Sequence, residues 1–164
     1  MRKSKINISG FKIGTAENRE GLTGVTVILA PDGGATAGVD VRGCAPGTRE
    51  TDLLDPRKTV QKIHAVVLSG GSAFGLEAAS GCVKYLAEQG VGFPIGNVCV
   101  PIVCSAVLFD LMIGDEKAYP DLLMGYEAAK SASSEFLSGC NGAGTGATAV
   151  SYTHLRAHET ELHL

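Results

Sequence analysis

Two glycine-rich segments contain the residues of this sequence whose types and spacing could do chemistry. The first is SGGS, residues 69–72, which lies between the apolar run 64–68 and a predicted helix over residues 73–89. At the start of a helix, backbone N–H groups have no partner inside the helix and can point at a ligand. The segment therefore predicts an anion or oxyanion cradle, while a tight turn without a ligand fits the same spacing equally well. The candidate residues are Gly70, Gly71 and Ser72.

This first segment does not follow the common nucleotide-binding or hydrolase motifs. It lacks the GxGxxG spacing with a distant acidic residue, and no lysine follows it as in a Walker loop. It is not a GxSxG nucleophile elbow either, because Ser72 is followed by Ala73-Phe74-Gly75. A small-ligand or phosphate-binding module therefore stays open as an alternative function.

The second segment is NGAGTGAT, residues 141–148, in which three glycines alternate with small and polar residues. Backbone amides, a side-chain amide and hydroxyl groups in one turn are suitable donors for a scissile carbonyl group. The segment predicts part of a substrate pocket, with a flexible turn as the alternative. Its candidate residues are Asn141, Gly144 and Thr145.

Other polar residues favour structural roles. A Ser72–His64 pair would need the histidine at the start of a buried strand to fold back over the turn, so His64 is predicted to be a structural residue. The charged residues of the loop 42–52 either bind substrate or, as the favoured interpretation, pair among themselves; they are Arg42, Arg49, Glu50 and Asp52.

The five cysteines predict neither disulfides nor a metal site. Their number is odd, and the closest pair, Cys99 and Cys104, lacks the CxxC spacing of zinc ligands. We expect buried free thiols of a reducing cytoplasm, no metal and no cofactor.

Strands and helices that would position the two segments can be read from periodicity and turn residues. Extended runs are predicted at residues 6–13, 24–30, 35–41, 64–68 and 91–103, with polar turns at 15–21 and 31–34. The second and third runs are expected to form a hairpin. Helices are predicted from Asp55 to about Lys62, over 73–89 with Gly90 as its stop, and over 121–134. A hairpin followed by strand–turn–helix indicates a mixed or layered α/β fold.

Composition excludes several classes of protein. The chain has 164 residues, a net charge of −3 and 19% charged residues, and its basic residues are scattered rather than gathered in a stripe. No apolar run approaches the roughly 18 residues of a membrane span, and no signal sequence follows the basic N-terminus. We therefore expect a cytoplasmic protein that binds neither nucleic acid nor membrane.

The last fifteen residues differ abruptly from what precedes them. VSYTHLRAHET, residues 150–160, resembles one translated frame of a transposon-end sequencing adapter. The spacing of His154 and His158 beside Glu159 could also suggest a metal site, but the adapter explains more of the segment. We expect residues 150–164 to be a non-native tail and the natural sequence to break near Ala149.

Four blocks occur in the order found in one enzyme family: GVDVRGCAPGTRETDLLDP, HAVVLSGGSAFGLEAASGCVKYL, VPIVCSAVLFDL and NGAGTGATA. Residues 8–149 resemble the self-processing aminopeptidases and amidases, which include D-aminopeptidase, β-peptidyl aminopeptidases and, most similar, the nylon-oligomer hydrolases. The resemblance implies an αββα sandwich like that of ornithine acetyltransferase, here only its N-terminal part. It also implies autoproteolysis into two subunits and a homotetramer.

The resemblance further implies an N-terminal Ser or Thr nucleophile that attacks amide bonds of peptides or related amides without a cofactor. That nucleophile and a lysine are expected downstream of residue 149, so no catalytic residue is assigned here. On this interpretation residues 1–149 are the N-terminal (α-subunit) part, the partner is the C-terminal (β) subunit, and the fragment alone is inactive. An acyltransferase related to ornithine acetyltransferase is the alternative enzyme.

Overall fold

Nine strands and two α-helices form within residues 2–148, the part of the chain that the computed structural model describes. The strands are β1 Arg2–Lys5, β2 Lys12–Asn18, β3 Thr23–Leu29, β4 Thr48–Arg49, β5 Ala65–Ser69, β6 Phe93–Ile95, β7 Val98–Val100, β8 Val103–Val107 and β9 Glu135–Ser138. The helices are α1 Ala78–Glu88 and α2 Leu122–Lys130, with short 3₁₀ helices at Asp52–Leu54, Ser72–Glu77 and Gly142–Gly144. The predicted α/β class is confirmed.

The main sheet has five strands in the order β2-β3-β5-β8-β4. Its strands are antiparallel except for the central pair β5 and β8, which run parallel from Ala65 opposite Val103 to Ser69 opposite Val107. Parallel neighbours require a crossover of a dozen residues or more. Residues 70–102 supply it, and they include α1.

Side chains along β3 and β5 alternate between the two faces of the sheet, and one of these faces packs against the helices. Val25, Val27 and Val67 are fully buried there, and burial of each valine contributes roughly 1.5–3 kcal/mol. The two helices meet through small residues, since a Cβ on Gly125 would lie only 1.9 Å from the carbonyl oxygen of Ala78. Small side chains therefore let backbone pack on backbone between α1 and α2.

The sequence predicts the start of α2 and the stop of α1 correctly. Asp121 caps α2 by accepting the N–H of Met124 at 2.8 Å, and Gly90 follows α1 with φ +68°. The helix predicted over residues 73–89 is confirmed as α1, but its first turns are the 3₁₀ helix Ser72–Glu77.

Three predictions near the N-terminus are wrong. The extended run expected at residues 6–13 is a strand only from Lys12, where β2 begins. The run 15–21 was expected to be a turn, yet β2 continues to Asn18, whose side chain then accepts the N–H groups of Glu20 and Gly21. Residues 35–41 were expected to pair with β3, yet only Ala35 forms a bridge, to Ile63. Both edges of β3 are already occupied by β2 and β5, so no position remains for a further partner.

The predicted helix from Asp55 is also absent. The carboxylate of Asp55 accepts hydrogen bonds from the guanidinium group of Arg57 and, at 3.0 Å, from the N–H of the same residue. These two bonds lower the pKa of Asp55 to about 2. A bond to the second following residue forms an Asx turn, whereas a cap would need helical geometry beyond it. The chain therefore turns at Asp55 after the short 3₁₀ helix.

Two small ribbons lie outside the main sheet. β1 pairs with β9, and β6 pairs with β7, whose residues are all exposed. None of the helices within residues 2–148 has the length and apolar character needed to cross a bilayer.

Candidate functional site

The first candidate segment, Ser69–Ser72, forms a turn at the carboxyl end of β5, and we call it the first turn. Gly71 and Ser72 both adopt left-handed backbone conformations, with φ of +77° and +52°. Two such residues in succession reverse the chain out of the sheet and into the helix that follows. Glycine suits the first of the two positions because it enters this region without strain.

The N–H groups of the first turn do not point outward as expected. The N–H of Gly70 donates to the carbonyl oxygen of Gly24 at 2.9 Å, and the N–H of Gly71 donates to Oδ1 of Asp110 at 2.6 Å. The N–H of Ser72 donates to the carbonyl oxygen of Leu108 at 2.9 Å. Each donor is already satisfied within the protein. These three N–H groups are therefore unavailable to an anion.

Asp110 is the residue of this site that sequence reasoning missed. It lies three residues beyond β8 and is 2% exposed. Its second oxygen, Oδ2, accepts the hydroxyl group of Thr23 at 2.7 Å, and Thr23 is itself 1% exposed. The sequence does contain a signal for it, because Asp110 directly follows the apolar run VCSAVLF. An acidic residue buried at such a position requires hydrogen-bond partners.

The second candidate segment, Asn141–Thr145, is a single 3₁₀ turn, which we call the second turn. It lies on the face of the sheet opposite the helices, where Thr26 Oγ1 accepts the N–H of Ala143 at 3.1 Å. Its other N–H groups donate to Gly139 O, Glu17 Oε2, Asn141 O and Gly142 O. Its main-chain donors, too, are used within the protein.

Both ends of the Asn141 side-chain amide have partners. Its oxygen accepts from Arg19 Nη2 at 3.1 Å, and its nitrogen donates to the carbonyl oxygen of Ser138 at 3.3 Å. Arg19 is held in turn by Glu17 at 2.7 Å. Asn141 is 5% exposed, and its amide joins the second turn to Arg19, the residue after β2, and to the end of β9.

Thr145 differs from the rest of the second turn. Its hydroxyl oxygen is buried, and no described residue forms a hydrogen bond with it. Buried hydroxyl groups normally have a partner. Thr145 is therefore a predicted site residue whose buried hydroxyl group has no partner within residues 2–148.

The fold brings the two turns to the same end of the sheet. Gly24 connects them, because its carbonyl oxygen accepts the N–H of Gly70 and a Cβ on it would lie 2.3 Å from the carbonyl oxygen of Gly142. Beyond the second turn, Gly146 approaches Asp110, where a Cβ would lie 3.0 Å from the aspartate Cβ. Gly70, Gly71 and Ser72 therefore lie near Asn141, Gly144 and Thr145.

His64 does not serve Ser72. It precedes β5 and Ser72 follows it, so about 20 Å of extended strand separates the two residues. Its Nδ1 accepts the N–H of Ile102 at 3.1 Å, which places any ring proton on Nε2. Burial lowers the pKa of His64 below its usual value. The prediction of a structural histidine is confirmed.

The charged loop does not pair within itself. Arg42 forms an exposed ion pair with Asp40 at 2.7 Å, and Arg49 donates to the hydroxyl group of Ser80 at 2.7 Å. Glu50 takes a left-handed backbone, and Asp52 begins the 3₁₀ helix Asp52–Leu54. Within residues 2–148, none of these four residues forms a hydrogen bond or ion pair with either turn.

The cysteines are free, but they are not all buried. Cys82 and Cys104 are buried, and burial raises the pKa of the Cys82 thiol to about 12. Cys44, Cys99 and Cys140 are exposed, which corrects the expectation of buried thiols at these three positions. Residues 2–148 contain no group of three potential metal ligands, and the histidines of the tail lie outside the described residues.

The fold of this chain is similar to that of solved aminopeptidases. The structure is similar to that of an L-aminopeptidase D-Ala-esterase/amidase from Ochrobactrum anthropi, a variant of the Ntn hydrolase fold. The TM-score is 0.67 at 18% identity, covering 88% of this chain and 44% of that one. A β-aminopeptidase from Burkholderia gives 0.63 at 19% identity, over 85% and 41%.

The chain belongs to peptidase family S58, which it matches over residues 5–153. It is 48% identical over 126 residues to an uncharacterized aminopeptidase of Mycobacterium bovis, covering 77% of this chain and 36% of the relative. It is 36% identical over 146 residues to a 6-aminohexanoate-oligomer endohydrolase of Kocuria, covering 88% and 38%. The expected likeness to nylon-oligomer hydrolases is confirmed. The chain spans well under half the length of these relatives.

Proposed function

We propose that this chain is the N-terminal part of an autoproteolytic N-terminal-nucleophile hydrolase that cleaves amide bonds of peptides or related amides. The observation that carries the proposal is the family match over residues 5–153, a range that includes both turns. The fold brings these turns together at one end of the sheet through Gly24 and Asp110. We assign the surface that the two turns form together to the substrate pocket.

In this proposal the reacting groups come from the C-terminal part of the precursor, by which we mean the protein extended to the length of its relatives. A Ser or Thr freed by self-cleavage would attack the carbonyl carbon, with its own α-amine taking the proton. The α-amine has a reference pKa of about 8, which suits a base at neutral pH. Residues 1–149 would then be the α-subunit part and residues 150–164 a non-native tail.

The sheet supports the proposal that a second layer covers it. Leu68 lies on the central strand β5, on the face away from the helices, and is 39% exposed. Val66 and Ile28 on the same face are half-buried. A sheet with apolar residues on its second face needs another layer to cover that face. We assign the covering layer to the C-terminal subunit.

Within the pocket, the predicted residues would have different tasks. The first turn, with Gly70, Gly71 and Ser72, and Gly144 of the second turn would form close-fitting walls, because the N–H groups of both turns are already used. Asn141 would hold its turn in place through Arg19. Thr145 would supply a hydroxyl group toward the substrate or the β-subunit. Assembly as a cytoplasmic homotetramer is part of the same proposal.

Expression of the precursor tests the proposal directly. We expect two fragments on a denaturing gel, a Ser or Thr at the new N-terminus by mass spectrometry, and hydrolysis of aminoacyl p-nitroanilides or 6-aminohexanoate oligomers. Alanine in place of that new N-terminal residue is the matched control and should abolish both events. A precursor that neither cleaves itself nor hydrolyses any amide would refute the assignment.

Two additions to the assay separate the alternatives. An amine acceptor that captures the acyl group in place of water would identify an acyltransferase. Calorimetric titration with inorganic phosphate would detect a phosphate-binding module. We expect no phosphate binding at the first turn, because its three N–H groups donate to protein acceptors. The 164-residue chain by itself should show no self-cleavage.

A further inference from the structure

A buried carboxyl group connects three segments of the chain at the candidate site. Asp110 binds the N–H of Gly71 through Oδ1 at 2.6 Å and the hydroxyl group of Thr23 through Oδ2 at 2.7 Å. These partners lie 39 and 87 residues away in the sequence. The two oxygens thus fasten the loop after β8 to the first turn and to the start of β3.

Glycines enclose the same carboxyl group. A Cβ on Gly70 would lie 2.0 Å from Oδ2 of Asp110 and 2.4 Å from Oγ1 of Thr23, so no side chain fits at that position. A Cβ on Gly146 would lie 3.1 Å from Oδ2. The residue after the second turn therefore packs on the carboxyl group that binds the first turn.

The backbone of the first turn needs this support. Ser72 has φ of +52°, a conformation that costs a residue with a side chain about 1 kcal/mol or more. The N–H of Ser72 is held by the carbonyl oxygen of Leu108, and the preceding N–H by Asp110. The segment 108–110 thus holds both peptide groups that define the turn.

We propose that Asp110 is a positioning residue for the active site. It sets the left-handed geometry of Gly71 and fixes the distance between the two turns. This inference rests on the proposed function, because the turns matter for catalysis only if they line the substrate pocket. Asp110 acts through the backbone that it holds and does not itself touch the reacting atoms.

Thr23 offers the sharpest test, because its hydroxyl group can be removed without a change of shape. In the precursor, Thr23→Val leaves Oδ2 of Asp110 without its donor, whereas Thr23→Ser keeps the donor. Thr36→Val, at an exposed position, is the control for the chemical change itself. Asp110→Asn, which keeps an acceptor for Gly71, is a second variant in case the first does not fold.

Three quantities are measured for each variant: kcat and KM per equivalent of free nucleophile, the unfolding temperature, and hydrogen–deuterium exchange of the peptide covering residues 69–74. We expect Thr23→Val to lower kcat roughly 10- to 100-fold with KM nearly unchanged, since a displacement of about 1 Å has effects of this size. Exchange in residues 69–74 should accelerate. Thr23→Ser should restore both, and Thr36→Val should change neither.

Two results would overturn the inference. If exchange accelerates or the unfolding temperature falls while kcat per nucleophile stays constant, Asp110 is only structural. If exchange in residues 69–74 changes in neither Thr23→Val nor Asp110→Asn, Asp110 does not hold the turn. A wild-type precursor without amidase activity would instead refute the proposed function. The exchange measurement would then still decide whether Asp110 fixes the turn.

Discussion

Replacing Gly71 by alanine should destabilise the protein more than the same change at Gly33. Both residues have nearly the same left-handed backbone, with φ of +77° and +82°. An alanine in this region costs about 1–2 kcal/mol at either position. The surroundings differ, because a Cβ on Gly71 would lie 2.6 Å from Cβ of Tyr119 and 3.0 Å from Cδ of Pro120, whereas Gly33 has open space within 4 Å.

The size of the difference follows from which atoms collide. Cβ of Tyr119 and the ring of Pro120 are fixed by their own backbone, so a rotamer change cannot relieve the contact. Overpacking of this kind costs about 1–3 kcal/mol beyond the shared conformational cost. Gly71→Ala should therefore unfold at a lower temperature than Gly33→Ala, with a further loss of stability of about 1–3 kcal/mol.

Thermal unfolding of the two precursor variants, followed by circular dichroism in one buffer, measures this difference. Amide hydrolysis measured in parallel should fall in Gly71→Ala and stay near wild type in Gly33→Ala, because Gly71 also donates its N–H to Asp110. Equal unfolding temperatures for the two variants would show that Tyr119 and Pro120 do not close over the first turn as described.

Three further outcomes are expected. The pKa of His64 is lowered in the folded state, so the unfolded chain takes up the proton first as the pH falls, and stability should decrease below about pH 6.5. In His64→Asn the unfolding temperature should therefore vary less between pH 7.5 and 5.5, and an unchanged pH dependence would contradict this. Iodoacetamide at pH 8 should label Cys140 in the native protein and Cys82 only after unfolding, as read by peptide mass spectrometry, because burial raises the pKa of the latter to about 12. Thr26→Val should cost about 1 kcal/mol and accelerate exchange at Ala143, whereas Thr26→Ser should do neither.

The sequence predicts those parts of the fold that depend on neighbouring residues. β3 and β5 are runs of β-branched and apolar residues, and the stop of α1 at Gly90 needs only one left-handed position. The predicted partner strand at residues 35–41 is wrong because pairing depends on what already occupies both edges of β3. The predicted helix at Asp55 is wrong because the same side chain can satisfy an Asx turn.

The candidate site shows the same division. Local glycine patterns located both turns, but the state of their N–H groups depends on distant acceptors. Asp110, which binds the first turn, finds its two partners across 39 and 87 residues. No periodicity within one segment carries that information. The histidine was assigned correctly because the length of a strand alone separates it from Ser72.

The strand β1 cannot pair until its partner β9 has been synthesised. The hydroxyl groups of Ser4 and Ser138 meet at 2.8 Å, although 134 residues separate them. At about 5–20 residues per second, the ribosome needs roughly 7–27 s to make this stretch. For that time β1 lacks its partner and its backbone groups are open to other strands. Synthesis speed thus sets how long β1 of the nascent chain is exposed to mispairing and chaperones.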